Sequence, residues 1–100
     1  MVKGEQRQPA SSEVREAVGR VLQEHLAVYG LEEATVETGW DHDGDPALFV
    51  DAYFRLSETP VDPQTVYPLT RYLREELATV GEERFPYIRY HFDENQKVAG

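Results

Sequence analysis

Four side chains that could do chemistry crowd one short segment. Asp41, His42, Asp43 and Asp45 all fall within GWDHDGDPALFVDAYF, residues 39–54. Carboxylates at 41, 43 and 45 match the first, third and fifth ligands of a helix–loop–helix calcium site. The match stops there. Such a loop needs Gly at its sixth place and a bidentate acid at its twelfth, and this chain has Pro46 and Ala52. A transition metal would find His42 alone among carboxylates, because His25 and His91 lie far off in sequence. There is no cysteine, which excludes thiolate zinc sites, Cys nucleophiles and disulfides. No metal site is expected, and the acidic segment reads as a turn.

General acid–base catalysis needs a titrating group held in a cleft with a partner. Asp51 and His91 could meet across a sheet face, and so could Asp51 and Arg89 as a plain ion pair. His25 falls in an apolar helical stripe and is expected to be a partly buried, hydrogen-bonded core residue. The chain has no nucleophile elbow and no glycine-rich phosphate loop. One hundred residues in two layers leave little room for a deep pocket. No catalytic residue and no cofactor is expected.

Positioning these groups falls to five elements. Ser11 and Ser12 offer an N-cap, with Glu13 and Glu16 in the first turn where the helix dipole favours acids. Val14, Ala17, Val18, Val21, Leu22, His25, Leu26 and Tyr29 follow at spacings of one helical face, and Gly30 ends the run. Residues 34–42 and 47–56 alternate as strands. In the second, Leu48, Val50, Ala52, Phe54 and Leu56 share one face, and Phe49, Asp51, Tyr53 and Arg55 the other. Asp43-Gly44 supplies the hairpin turn between them, and Pro46 opens the return strand.

Asp62 and Pro63 form a helix start. Pro68 either bends that helix or separates a short turn from a helix beginning near Pro68. Leu69, Thr70, Leu73, Leu77 and Val80 supply the buried stripe in both cases, and Gly81 stops it. Residues 84–93 have strand composition, with Ile88, Tyr90 and Phe92 on one face and Tyr87, Arg89 and His91 on the other.

The order αββαβ predicts an α+β fold, a two-layer sandwich with two helices packed on one face of a three-stranded mixed sheet. Residues 1–10 are expected as a flexible N-terminal arm, 11–93 as the single domain, and 94–100 as a flexible tail. The third strand should run parallel to the second through a right-handed crossover and lie beside the first, in spatial order 2-1-3, with 1-2-3 as the other arrangement. Pro86 marks it as an edge, which invites pairing with another chain.

With helices on the Leu48/Val50/Phe54 side, Phe49, Tyr53 and Tyr87 face outward beside Asp51, Arg55, Arg89 and His91. Aromatic residues together with Arg are what interface centres use, so these seven are the candidate binding residues. Nineteen acids against ten bases give a net charge of −9. No Lys or Arg occurs between Arg20 and Arg55. That field repels a phosphate backbone, which counts against nucleic acid and suits a basic protein partner. No apolar run has the length of a membrane span and no signal pattern opens the chain, so a cytoplasmic protein without a membrane role is expected.

GWDHDGDPALFVDAYF, followed by a helix and GEERFPYIRYHF, resembles small, largely uncharacterised bacterial proteins of αββαβ layout, some encoded beside toxin-like or nucleotidyltransferase-type genes. The likeness covers residues 40–92, rests on hairpin and strand features, and implies a family without an activity. Charge, face and resemblance together point to a non-catalytic protein-binding module, antitoxin-like, that meets a basic partner. It could equally meet a second copy, as a homodimer, through the open sheet face or the third-strand edge. The alternative is a small nucleic-acid- or ligand-binding domain that stacks its target on Phe49, Tyr53 and Tyr87 beside Arg55 and Arg89.

Overall fold

The computed structural model of the chain describes residues 7–92. The elements are β1 (Gln8–Pro9), α1 (Ser12–Leu26), a 3-10 turn (Ala27–Tyr29), β2 (Leu31–Trp40), β3 (Pro46–Phe54), α2 (Pro63–Val66), α3 (Leu69–Thr79) and β4 (Phe85–Phe92). The α+β class is as expected, with helices against a mixed sheet, but the sheet has four strands in the order β1-β2-β3-β4. β1 and β3 both run antiparallel to β2, whereas β4 runs parallel to β3.

Two expectations about the sheet need correction. The three-strand count misses β1, where Gln8 and Pro9 pair with Thr38 and Glu37. Ala10 extends the docking, donating its N–H to the Val36 carbonyl at 3.0 Å. A two-residue strand has no periodicity to read. Of the expected arm, residues 1–6 lie outside the described residues, as do residue 93 and the expected tail 94–100.

The 2-1-3 order is also overturned, and the three expected strands take the other arrangement, 1-2-3. β4 is parallel to β3 as expected, yet it lies directly beside β3, with Val50 opposite Ile88 and Asp51 opposite Arg89. The cause is β3 itself. Ala47, Leu48, Val50, Asp51, Ala52 and Phe54 are all buried, so both of its faces need cover and it takes a central place. β2 carries exposed Glu32 and Glu33 and lies toward the other side. Among the described residues β4 has β3 as its single neighbour, so it does form an edge.

Helix starts and stops follow local chemistry. The Ser11 hydroxyl accepts the Val14 N–H at 3.3 Å, capping α1. Asp62 accepts the Gln64 N–H at 3.0 Å, and Pro63 begins the single turn of α2. Pro68 has no N–H to continue that turn, so α3 begins afresh at Leu69. The short-turn alternative is therefore the one adopted. At the far end, Gly81 and Glu82 donate to the carbonyls of Ala78 and Leu77, closing α3 with a paired C-terminal motif.

The core lies between the helices and one sheet face. Leu22 and Leu26 of α1 meet Leu69, Leu73 and Leu77 of α3 over Leu48 and Val50, all fully or almost fully buried. Each such side chain contributes about 1.5–3 kcal/mol of burial free energy. Arg20 and Glu76 link the two helices at 2.6 Å. The Tyr29 hydroxyl shares a hydrogen bond with Thr65 at 3.0 Å, tying the 3-10 turn to α2. His25 is partly buried as expected, but the expected hydrogen bond is replaced by a ring contact. It is half-buried and stacks on Tyr72 at 4.8 Å, with no hydrogen bond to its ring among the described residues. Among the described residues no helix is long and apolar enough to cross a membrane.

Candidate functional site

Strand alternation sends every second residue of β2, β3 and β4 away from the helices. Parallel pairing of β3 with β4 then sets Phe49 beside Tyr87, Asp51 beside Arg89, and Tyr53 beside His91. On the other flank, β2 brings Glu37 to Phe49, Thr35 to Asp51 and Glu33 to Tyr53. Three rows of side chains therefore cross the uncovered face.

Asp51 occupies the middle row. It is only 6% exposed, and its Oδ1 accepts from Arg89 Nε at 3.2 Å and from His91 Nε2 at 2.7 Å. A buried carboxylate is tolerated only with such partners. The two donors stand above it, with 59% and 40% of their side chains exposed. The carboxylate thus forms the floor of the face, and the Arg89 and His91 side chains stand between it and solvent.

Aromatic pairs flank this ion cluster. Tyr53 stacks on His91 at 4.6 Å with 16° between ring planes. Phe49 stacks on Tyr87 at 6.0 Å, and Phe85 tilts against Tyr87 at 4.9 Å. Rings that pack on one another lose little freedom when something lands on them, which favours a pre-organised contact surface.

Arg7 completes the face from the β1 side. Its guanidinium lies 3.8 Å from the centre of the Phe49 ring and 3.9 Å from Glu37. Gly39 makes room for it, since a Cβ there would come within 3.0 Å of the Phe49 ring and 3.2 Å of the Arg7 side chain. Arg7, Trp40, Asp41, Phe49, Tyr87 and Arg89 line a shallow depression of about 490 Å³ at this end of the sheet.

The acidic segment proves to be turn chemistry that also braces the face. Gly44 N–H donates to the Asp41 carbonyl, and Asp41 N–H to the Asp45 carbonyl, both at 2.9 Å. They enclose a three-residue loop in which Gly44 has φ +85°, a conformation that only Gly takes cheaply. Asp41 Oδ1 accepts the N–H groups of Asp43 at 3.0 Å and Asp45 at 2.9 Å, while Oδ2 accepts the Tyr87 hydroxyl at 2.9 Å. Asp41 is therefore held below the ordinary carboxylate value, first by the Asp45 N–H and then by Tyr87 and Asp43, with partial desolvation opposing. The Tyr87 hydroxyl is pushed above its ordinary range, chiefly by its hydrogen bond to the Asp41 carboxylate. On the opposite face, burial pushes Tyr90 up.

Six of the seven candidate residues share this face: Phe49, Asp51, Tyr53, Tyr87, Arg89 and His91. Arg55 follows them at the same parity, one residue beyond the strand. β3 ends at Phe54, and Arg55 lies past it, donating its N–H to the Gly30 carbonyl at 2.9 Å. Three contributors were missed in the sequence: Arg7, Asp41 and Phe85. Phe85 obeys the same alternation as Tyr87, Arg89 and His91 and was legible. Arg7 and the Asp41–Tyr87 bond depend on docking across strands distant in sequence. No protein-family model matches the chain, and comparison with curated proteins finds no similar sequence.

Proposed function

We propose that this chain is a non-catalytic protein-binding module, antitoxin-like in role, which receives a basic partner on the open face of its sheet. One observation carries the reading: stacked aromatic pairs flank the Asp51–Arg89–His91 cluster on the face the helices leave bare. Rigid rings and Arg groups around an ordered polar centre are what interface hot spots use. The partner's sign follows from charge. The whole chain carries −9, and Glu33, Glu37, Asp43 and Asp45 border the face or its hairpin tip. Such a field steers cationic surfaces inward and speeds their arrival.

A photo-reactive residue placed at Tyr53, with a control at Glu24 on α1, tests this in the cells that make the protein. The expected result is capture of a net-positive protein from position 53 and not from 24. The purified pair should weaken steeply as salt is raised. The Phe49→Ala, Tyr53→Ala double variant should lose roughly ten-fold or more in affinity. Equal capture from both positions, or an affinity indifferent to both salt and the two rings, would remove the reading.

The same rings favour one second reading. The Arg7–Phe49 and Tyr53–His91 stacks could sandwich unpaired bases of single-stranded RNA. Low-salt binding of an RNA oligonucleotide, lost in a Tyr53→Ala, Tyr87→Ala variant, would replace the protein partner with RNA. No binding at low salt would end that alternative.

A further inference from the structure

β4 is an eight-residue strand that, among the described residues, pairs along one side only. Outside the ladders and helices, no backbone hydrogen bond among the described residues touches residues 85–92. An unpaired edge of this length is a template for another strand. The sequence of β4 says which strand fits.

We propose that two copies of this chain join their β4 edges antiparallel about a two-fold axis through Ile88, forming one continuous sheet. A two-fold axis normal to the sheet keeps both open faces on the same side. It places Ile88 opposite Ile88, Tyr87 opposite Arg89 of the second copy, and Phe85 opposite His91 of the second copy. Each unlike pair occurs twice, as ring against cation or ring against ring. The neighbouring registers are worse. An axis at Arg89 sets guanidinium against guanidinium, and an axis at Tyr87 leaves residues 90–92 without partners. A one-residue slip would turn open-face side chains toward the helix layer.

Charge supports the same edge. Between α3 and the start of β4 runs a groove lined by Arg71, Arg74, Arg84, Glu75, Glu82 and Glu83, three of each sign. On a chain of net charge −9, copies repel over most of their surface. A balanced border lets them approach here. The inference goes beyond the binding of a foreign partner, since it uses the strand edge and sets the two open faces side by side.

The absence of cysteine makes single-Cys variants clean reporters. Light scattering on the full wild-type chain should give twice the 11.5 kDa chain mass. Ile88→Cys should oxidise to a covalent dimer, because residues facing each other across an antiparallel pair have Cα atoms about 4.5–5.5 Å apart, within disulfide reach. Tyr87→Cys should stay reduced, its two copies lying diagonally at roughly 8 Å. Tyr53→Cys should also stay reduced, because it reports pairing through the open face. A chain that remains at 11.5 kDa up to high concentration overturns the proposal. So does a dimer that cross-links through position 53 or 87 instead of 88. Should Ile88→Cys fail to fold, amide exchange of the wild-type chain decides the matter. Protection of residues 85–92 that grows with concentration supports the edge contact, and protection independent of concentration sinks it.

Discussion

Asp51 is a charged residue placed on the most buried strand, and its two donors explain why it survives there. Asp51→Ala should cost roughly 2 kcal/mol in urea unfolding, the range for hydrogen bonds to charged groups. A loss under about 0.5 kcal/mol would mean that Arg89 and His91 resolvate without penalty. The Asp41–Tyr87 bond makes a prediction about pH. Asp41 lies below its ordinary 3.8, so its contribution to stability is complete above 3.8 and is lost as pH falls through the folded value. Tyr87 lies above its ordinary 10.0, so its contribution is complete below 10.0 and is lost as pH rises through the folded value. In a carboxyl NMR titration, Tyr87→Phe should move Asp41 upward but leave it below 3.8, because the Asp45 N–H remains the larger cause. An unmoved Asp41 would count against the bond. At this scale the sequence was informative where alternation reached. Asp51, Arg89 and His91 share a parity, and both expected pairings form together. Arg7 was hidden, because its place over Phe49 follows from a strand too short to leave a pattern.

Among the elements, α3 offers the sharpest contrast between what is buried and what merely adjoins it. Leu73 is fully buried between α1 and the sheet, and Leu73→Ala should cost about 2–5 kcal/mol. Tyr67, at the break before Pro68, is 92% exposed, and Tyr67→Ala should stay within about 0.5 kcal/mol of wild type. Chemical denaturation of both variants checks the pair, and similar losses would mean that the α2–α3 break packs against something. Helices and hairpin were readable because each follows from local periodicity and turn chemistry. The lateral order of strands was not. Alternation tells which side of a strand faces the core, but not which strand lies next to it. That was decided by burial on both faces of β3, a property visible only when Ala47 and Asp51 are counted as interior.

For the whole molecule, charge is the dominant global term. With a net −9, and with ion pairs such as Arg20–Glu76 and Arg7–Glu37 partly exposed, self-repulsion should outweigh the surface pairs. Raising salt from about 20 mM to about 300 mM should therefore raise Tm by roughly 4 °C or more. A falling Tm would assign the larger role to the ion pairs. The two sides of the sheet also differ in a way that bears on how far assembly can go. On the β2 side, Gln8 and Pro9 occupy part of the edge, and Glu32 and Glu33 crowd much of the remainder. Among the described residues β4 has less of such a fence, with Pro86 near its start. A molecule with two adhesive edges would add copies without end and grow a filament. If the β4 edges pair as proposed, one guarded side would give the chain a valence of one, and the two-residue β1 would act as the stopper that ends growth at a pair.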